Sequence, residues 1–121
     1  MRYMMLIYTQ ELPPSERSRE EMEQVKNAHW SVMDEATRKG ILLGAEPLKS
    51  TSTATTVRLQ NGKAVTMDGP FAETKEQLAG YYILECQDLD EAIEWAAKIP
   101  SACGGATGCI EIRPLAGLPP R

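Results

Sequence analysis

Two stretches of helical periodicity, each caught between short apolar runs, restrict the folds open to this chain. Met22, Val25, His29, Val32, Met33 and Ala36 recur at helical spacing and give one inward stripe on a helix that ends at Gly40. Leu89, Ala92, Ile93, Ala96 and Ala97 form a second such stripe, which Pro100 stops. Ser18-x-x-Glu21 and Asp88-x-x-Glu91 have the form of capping boxes at the two helix starts, with Ser15 as the alternative first cap after Pro13-Pro14.

The flanking runs read as strands. Residues 2–8, 41–45, 78–86 and 109–113 are short, apolar and bounded by turn residues. Between the halves, Thr55, Val57 and Leu59 alternate with polar neighbours. Asn61-Gly62 supplies a type I′ turn, and Lys63 to Met67 return as the partner strand. The order is therefore β-α-β, hairpin, β-α-β. Two crossover helices over one antiparallel sheet give an α+β, ferredoxin-like fold with an inserted hairpin.

Both helices must cover the same sheet face, because such crossovers keep one hand. The other face then carries the unalternating apolar side chains of residues 3–8 and 81–86. An apolar face of several hundred Å2 is rarely left in water. A homodimer packed sheet to sheet is the expected solution, with the hairpin acting as a lid as the alternative.

Composition excludes several classes. At 121 residues the chain is one domain, taken as residues 1–115 followed by a frayed Gly/Pro-rich tail, 116–121. A net charge of -4 without a Lys/Arg cluster argues against nucleic acid or an anionic membrane as partner. No run approaches the roughly 18 apolar residues of a membrane span, and the N-terminal apolar run is too short for a signal peptide. The three cysteines, Cys86, Cys103 and Cys109, are odd in number and lack C-x-x-C spacing. That pattern points to a reducing cytoplasm rather than a disulfide framework or a zinc site. With one histidine and scattered carboxylates, no metal is expected. Gly104-Gly105-x-x-Gly108 precedes a strand rather than a helix, so phosphate binding is weakly supported and no cofactor is expected.

The most distinctive segment is Asp68-Gly69-Pro70-Phe71-Ala72-Glu73-Thr74-Lys75-Glu76, a carboxylate at a strand end followed by a stiff Gly-Pro turn. Together with the opening Met-Arg-Tyr-Met-Met-Leu-Ile-Tyr and Leu89-Asp90-Glu91-Ala92-Ile93-Glu94-Trp95-Ala96, it resembles the YCII-related, or DGPF-domain, proteins over residues 1 to about 115. The resemblance implies a dimeric α+β barrel, related in architecture to small cofactor-free isomerases, monooxygenases and dehydrochlorinases. It also implies, by genome neighbourhood, an association with extracytoplasmic-function sigma factors. In that family a His near the first helix, with an Asp, forms an active-site pair.

His29 is the only histidine, and imidazole is the side chain whose ordinary pKa lies nearest neutrality. Asp68 is the expected carboxylate partner by its place at a strand end. Such a pair would move a proton on a small organic acid, contributing a factor of ~10²–10⁴. Tyr3, Tyr8, Tyr81 and Tyr82 are hydroxyl donors for a substrate carboxylate, with Tyr8, Tyr81 and Phe71 taken as the substrate-binding set. The competing readings are structural. His29 is then a hydrogen-bonded core residue, Asp68 caps its own turn, and Phe71 plugs the core or a dimer partner. Trp30 and Trp95 read as packing residues. A non-catalytic ligand-binding or regulatory protein is the functional alternative.

Overall fold

A computed structural model describes residues 1–101 and 106–121. Cys103 and the Gly104-Gly105 pair lie outside the described residues. The strands are β1 (Arg2–Thr9), β2 (Leu42–Pro47), β3 (Thr55–Gln60), β4 (Lys63–Asp68), β5 (Gln77–Glu85) and β6 (Gly108–Pro114), and the helices are α1 (Arg19–Arg38) and α2 (Leu89–Ala96). Short 3-10 turns occupy Pro14–Glu16 and Thr51–Thr53. Every predicted strand and helix is present.

Four strands form one antiparallel sheet in the order β2-β5-β1-β6, and β3 and β4 form a separate two-stranded ribbon. With the ribbon set aside, this is the ferredoxin-like arrangement. The hairpin turn has Asn61 at φ 52 and Gly62 at φ 78, the two positive values a type I′ turn requires.

Local chemistry sets the helix ends. Ser18 Oγ accepts from the Glu21 amide at 3.0 Å, so Ser18 rather than Ser15 caps α1. At the other end Gly40 stands at φ 72. Its amide donates to the Thr37 carbonyl at 3.0 Å and the Ile41 amide donates to the Ala36 carbonyl at 3.0 Å, a Schellman closure. Asp88 Oδ1 caps α2 by accepting from the Glu91 amide at 2.9 Å, and the Glu91 carboxylate accepts in return from the Gln87 amide at 3.1 Å.

Strand register sorts the side chains by face. Tyr3 opposes Leu84, Met5 opposes Tyr82 and Ile7 opposes Gly80, and these point toward the helices. They share one core with Val32 and Ala36 of α1 and with Ala92, Trp95 and Ile99 of and after α2. The α2 stripe is rotated from its expected setting: Trp95 is buried at 4% exposure, whereas Leu89 and Ile93 are exposed. The buried face of α2 runs through Ala92, Trp95 and on to Ile99, at helical spacing. Lys39 and Lys98 stack over the Trp95 ring at 5.5 and 4.5 Å.

Met4 opposes Ile83 and Leu6 opposes Tyr81 on the opposite sheet face, which no helix covers among the described residues. The hairpin does not act as a lid over this face. Its ribbon is separate, and Val57, Leu59 and Met67 remain exposed.

A cavity with a His29–Tyr82 pair

The first helix packs unevenly along its length. Its C-terminal half buries Val32 and Ala36, while its N-terminal half keeps Met22 exposed and Val25 and His29 only half-buried. The sheet beneath that half offers little to fill the gap, because the helix-facing positions there include Ala45 and Gly80. The result is a cavity of about 620 Å³ between α1 and the sheet. Its walls are mostly apolar: Met22, Val25, Trp30 and Met33 from α1, Ile7 from β1, and Ala45 and Pro47 from β2. Trp30, expected as a packing residue, is an exposed side chain on the cavity wall.

Gly80 forms part of the floor. A Cβ there would come within 2.8 Å of the Glu46 carbonyl oxygen and 3.2 Å of Pro47 Cα, so the close approach of β2 requires glycine.

His29 and Tyr82 are the paired polar groups of this cavity. His29 Nδ1 lies 2.7 Å from Tyr82 Oη, and the rings are tilted at 57° with centroids 5.9 Å apart. Tyr82 Oη also lies 3.4 Å from the carbonyl oxygen of His29 itself. Burial lowers the His29 pKa from its ordinary value, and burial pushes that of Tyr82 up to about 12. At neutral pH both groups are therefore uncharged.

Two proton arrangements satisfy these distances. In the first, the hydroxyl donates to Nδ1 and the ring proton sits on Nε2. In the second, Nδ1–H donates to the hydroxyl oxygen, which in turn donates to the His29 carbonyl and leaves a lone pair on Nε2. The 2.7 Å contact against the 3.4 Å one favours the first. Nε2 makes no hydrogen bond among the described residues and is an accessible atom of a side chain that lines the cavity.

The structure does not bring Asp68 to His29. Asp68 ends β4 opposite Thr55, on the exposed ribbon, and does not line the cavity. Nor does its carboxylate cap the turn, since it makes no side-chain hydrogen bond among the described residues. The turn is held instead by Gly69, at φ 97, whose amide donates to the Ala54 carbonyl at 2.8 Å and whose carbonyl accepts from Thr56 Oγ1 at 2.8 Å. Phe71 is 76% exposed, so within the chain it plugs nothing. Further along the loop, Gln77 accepts from the Glu11 amide at 2.8 Å. The Glu11 carboxylate accepts from the Thr51 amide at 2.9 Å, buckling the loop's end to the 3-10 turn after β2.

Tyr8 and Tyr81 are likewise separated from His29. They project from the uncovered sheet face, where Tyr8 donates to Glu111 Oε1 at 3.3 Å. Burial, then the neighbouring Glu111 charge, raises the Tyr8 pKa. Of the expected site residues, only His29 lies on the cavity. Its hydrogen-bond partner, Tyr82, differs from Tyr81 by one step of strand parity. The readable signal was phase: Tyr82 alternates with Leu84 and Gly80, and the helix-facing phase is the one that meets an inward helix stripe.

Among the described residues no three His, Cys, Asp or Glu side chains gather closely enough to hold a metal ion. Burial raises the pKa of both Cys86 and Cys109, and Glu76 adds to the effect at Cys109, so neither is an activated thiol. No helix among the described residues is long and apolar enough to cross a membrane.

Comparison with known proteins bears on this site only through the fold. The sequence profile of the YCII-related domain matches residues 1–116. An uncharacterised protein of Rhizobium meliloti (strain 1021) is 41% identical over 116 residues, which span 96% of this chain and 93% of the relative.

Proposed function

The chain belongs to the YCII-related domain family, and from that premise we propose that it binds a small organic molecule between α1 and the sheet. There His29 gives or takes a proton without a metal or an organic cofactor. The observation that carries this reading is the 2.7 Å His29–Tyr82 contact on the wall of an apolar cavity of about 620 Å³. Tyr82 takes the orienting role expected of Asp68. By turning its hydroxyl between Nδ1 and the His29 carbonyl, it sets whether Nε2 presents a proton or a lone pair. General acid–base assistance of this kind is worth about 10²–10⁴ in rate.

The test is proton exchange. Small carbonyl compounds with acidic C–H bonds are incubated with the protein in D2O, and loss of the C–H signal is followed by NMR. Exchange that disappears in a folded His29→Asn variant supports the proposal. Binding without exchange for every compound would favour the second reading, a non-catalytic ligand-binding protein. One feature speaks for that alternative: a neutral phenol stabilises an imidazolium far less than a carboxylate does.

The uncovered sheet face supports a homodimer. Met4, Leu6, Tyr81 and Ile83 form an apolar band there, of the kind that packs against a second copy. Light scattering on the wild type and on Leu6→Lys tests this, with a dimer expected for the first and a monomer for the second. A cytoplasmic setting suits the free thiols of Cys86 and Cys109.

A further inference from the structure

We propose that the cavity selects an uncharged ligand, with the His29 imidazole N–H donating to a neutral carbonyl-type oxygen. The inference rests on the ligand-binding reading above and narrows its ligand from any small organic molecule to neutral carbonyl compounds, in place of the organic acid expected from the sequence.

Three features carry it. First, the cavity wall around the pair is apolar, so a carboxylate placed there loses its water and needs a cation in exchange. Second, His29 cannot readily supply that cation. A protonated ring must donate from Nδ1 to Tyr82, and the hydroxyl proton must then turn from a 2.7 Å acceptor to one at 3.4 Å. Burial opposes the same protonation. Third, the charges along the wall do not favour an anion. Lys26 is the one cationic lining residue among the described residues, and its ammonium is paired with Glu23 at 2.8 Å. An already paired lysine on a chain whose net charge is -4 gives an incoming anion little attraction.

What remains is a neutral donor at the end of an apolar slot. A single N–H in such a place satisfies one carbonyl oxygen and leaves the rest of the ligand to be held by Met22, Val25, Trp30 and Met33. An uncharged cyclic or aromatic carbonyl compound has that pattern: one acceptor and an apolar body.

The test uses matched pairs of similar skeleton, one neutral and one anionic: acetophenone and benzoate, 2-acetylnaphthalene and 2-naphthoate, cyclohexyl methyl ketone and cyclohexanecarboxylate. Binding to the full chain is measured at pH 7.5 by the ring signals of the single histidine. The expected result is a His29 shift with at least one ketone, at an affinity at least tenfold above that of its paired acid. In Tyr82→Phe the ring is freer to protonate, and the same ratio is expected to shrink at least threefold. An acid that binds as well as its ketone overturns the inference and leaves the ligand-binding reading standing. No His29 shift with any of the six compounds overturns both. A ratio that survives intact in Tyr82→Phe contradicts the assignment of selectivity to the pair.

Discussion

Tyr82 Oη lies 2.7 Å from His29 Nδ1 and 3.4 Å from the carbonyl oxygen of the same residue. One hydroxyl thus touches both the side chain and the backbone of the histidine across the helix–sheet gap. Tyr82 is 4% exposed and packs in the core, so its ring is fixed by neighbours and its hydroxyl is the movable part. The cavity's polar chemistry follows from that one contact.

Truncating the two partners has unequal effects. Tyr82→Phe keeps the ring packing and removes one hydrogen bond, with an expected loss of about 0.5–1.5 kcal/mol. His29→Ala strands a nearly buried hydroxyl on a poor 3.4 Å acceptor and removes packing as well. Its expected cost is larger, about 1–3 kcal/mol. Urea unfolding at pH 7.5 measures both.

Stability should also depend on pH through the same histidine. Burial lowers the folded-state pKa of His29 below the unfolded value of about 6.5. The folded state therefore binds fewer protons than the unfolded one in that range. The His29 contribution is fully present above about pH 6.5 and is lost as pH falls from there through the lower folded value. Tyr82 acts at the alkaline end: its contribution is present below the unfolded pKa of about 10 and is lost as pH rises toward about 12. Denaturation midpoints from pH 5 to 8 should decline on the acid side, and His29→Asn should flatten that part of the decline.

Gly80→Ala tests the cavity floor. The added methyl meets the Glu46 carbonyl oxygen at 2.8 Å, and a backbone oxygen in a strand cannot step aside cheaply. The expected destabilisation is about 1–3 kcal/mol, the range for overpacking, measured by urea unfolding. An unchanged midpoint would mean that β2 can move away from β5 at this point.

The architecture was legible because it rests on local rules. The Asn61-Gly62 turn, the caps at Ser18 and Asp88 and the stop at Gly40 each follow from the chemistry of a few adjacent residues. The site was legible only in part. His29 lay on a helix stripe whose inward direction periodicity reveals, but its partner depended on strand phase and on which face the helix covers. Asp68 looked favourable because it ends a strand, yet that strand belongs to a ribbon outside the main sheet. A stripe drawn through Leu89 and Ile93 misses Trp95, whereas the buried set Ala92, Trp95 and Ile99 follows the same helical spacing one step further round.

The Asp68-Gly69 pair separates a backbone requirement from a chemical one. Gly69 sits at φ 97, where a side chain is strained, so Gly69→Ala should cost about 1–3 kcal/mol. Asp68→Asn, at an exposed position without a side-chain partner among the described residues, should stay within about 0.5 kcal/mol. Thermal or urea unfolding of the two variants side by side checks the contrast.

The most direct measurement is the titration of the single histidine by NMR in the wild type, Tyr82→Phe and Asp68→Asn. With Tyr82 as its partner, His29 titrates below about 6.5 in the wild type, higher in Tyr82→Phe, and unchanged in Asp68→Asn. A His29 pKa that falls in Asp68→Asn and does not move in Tyr82→Phe would contradict the account.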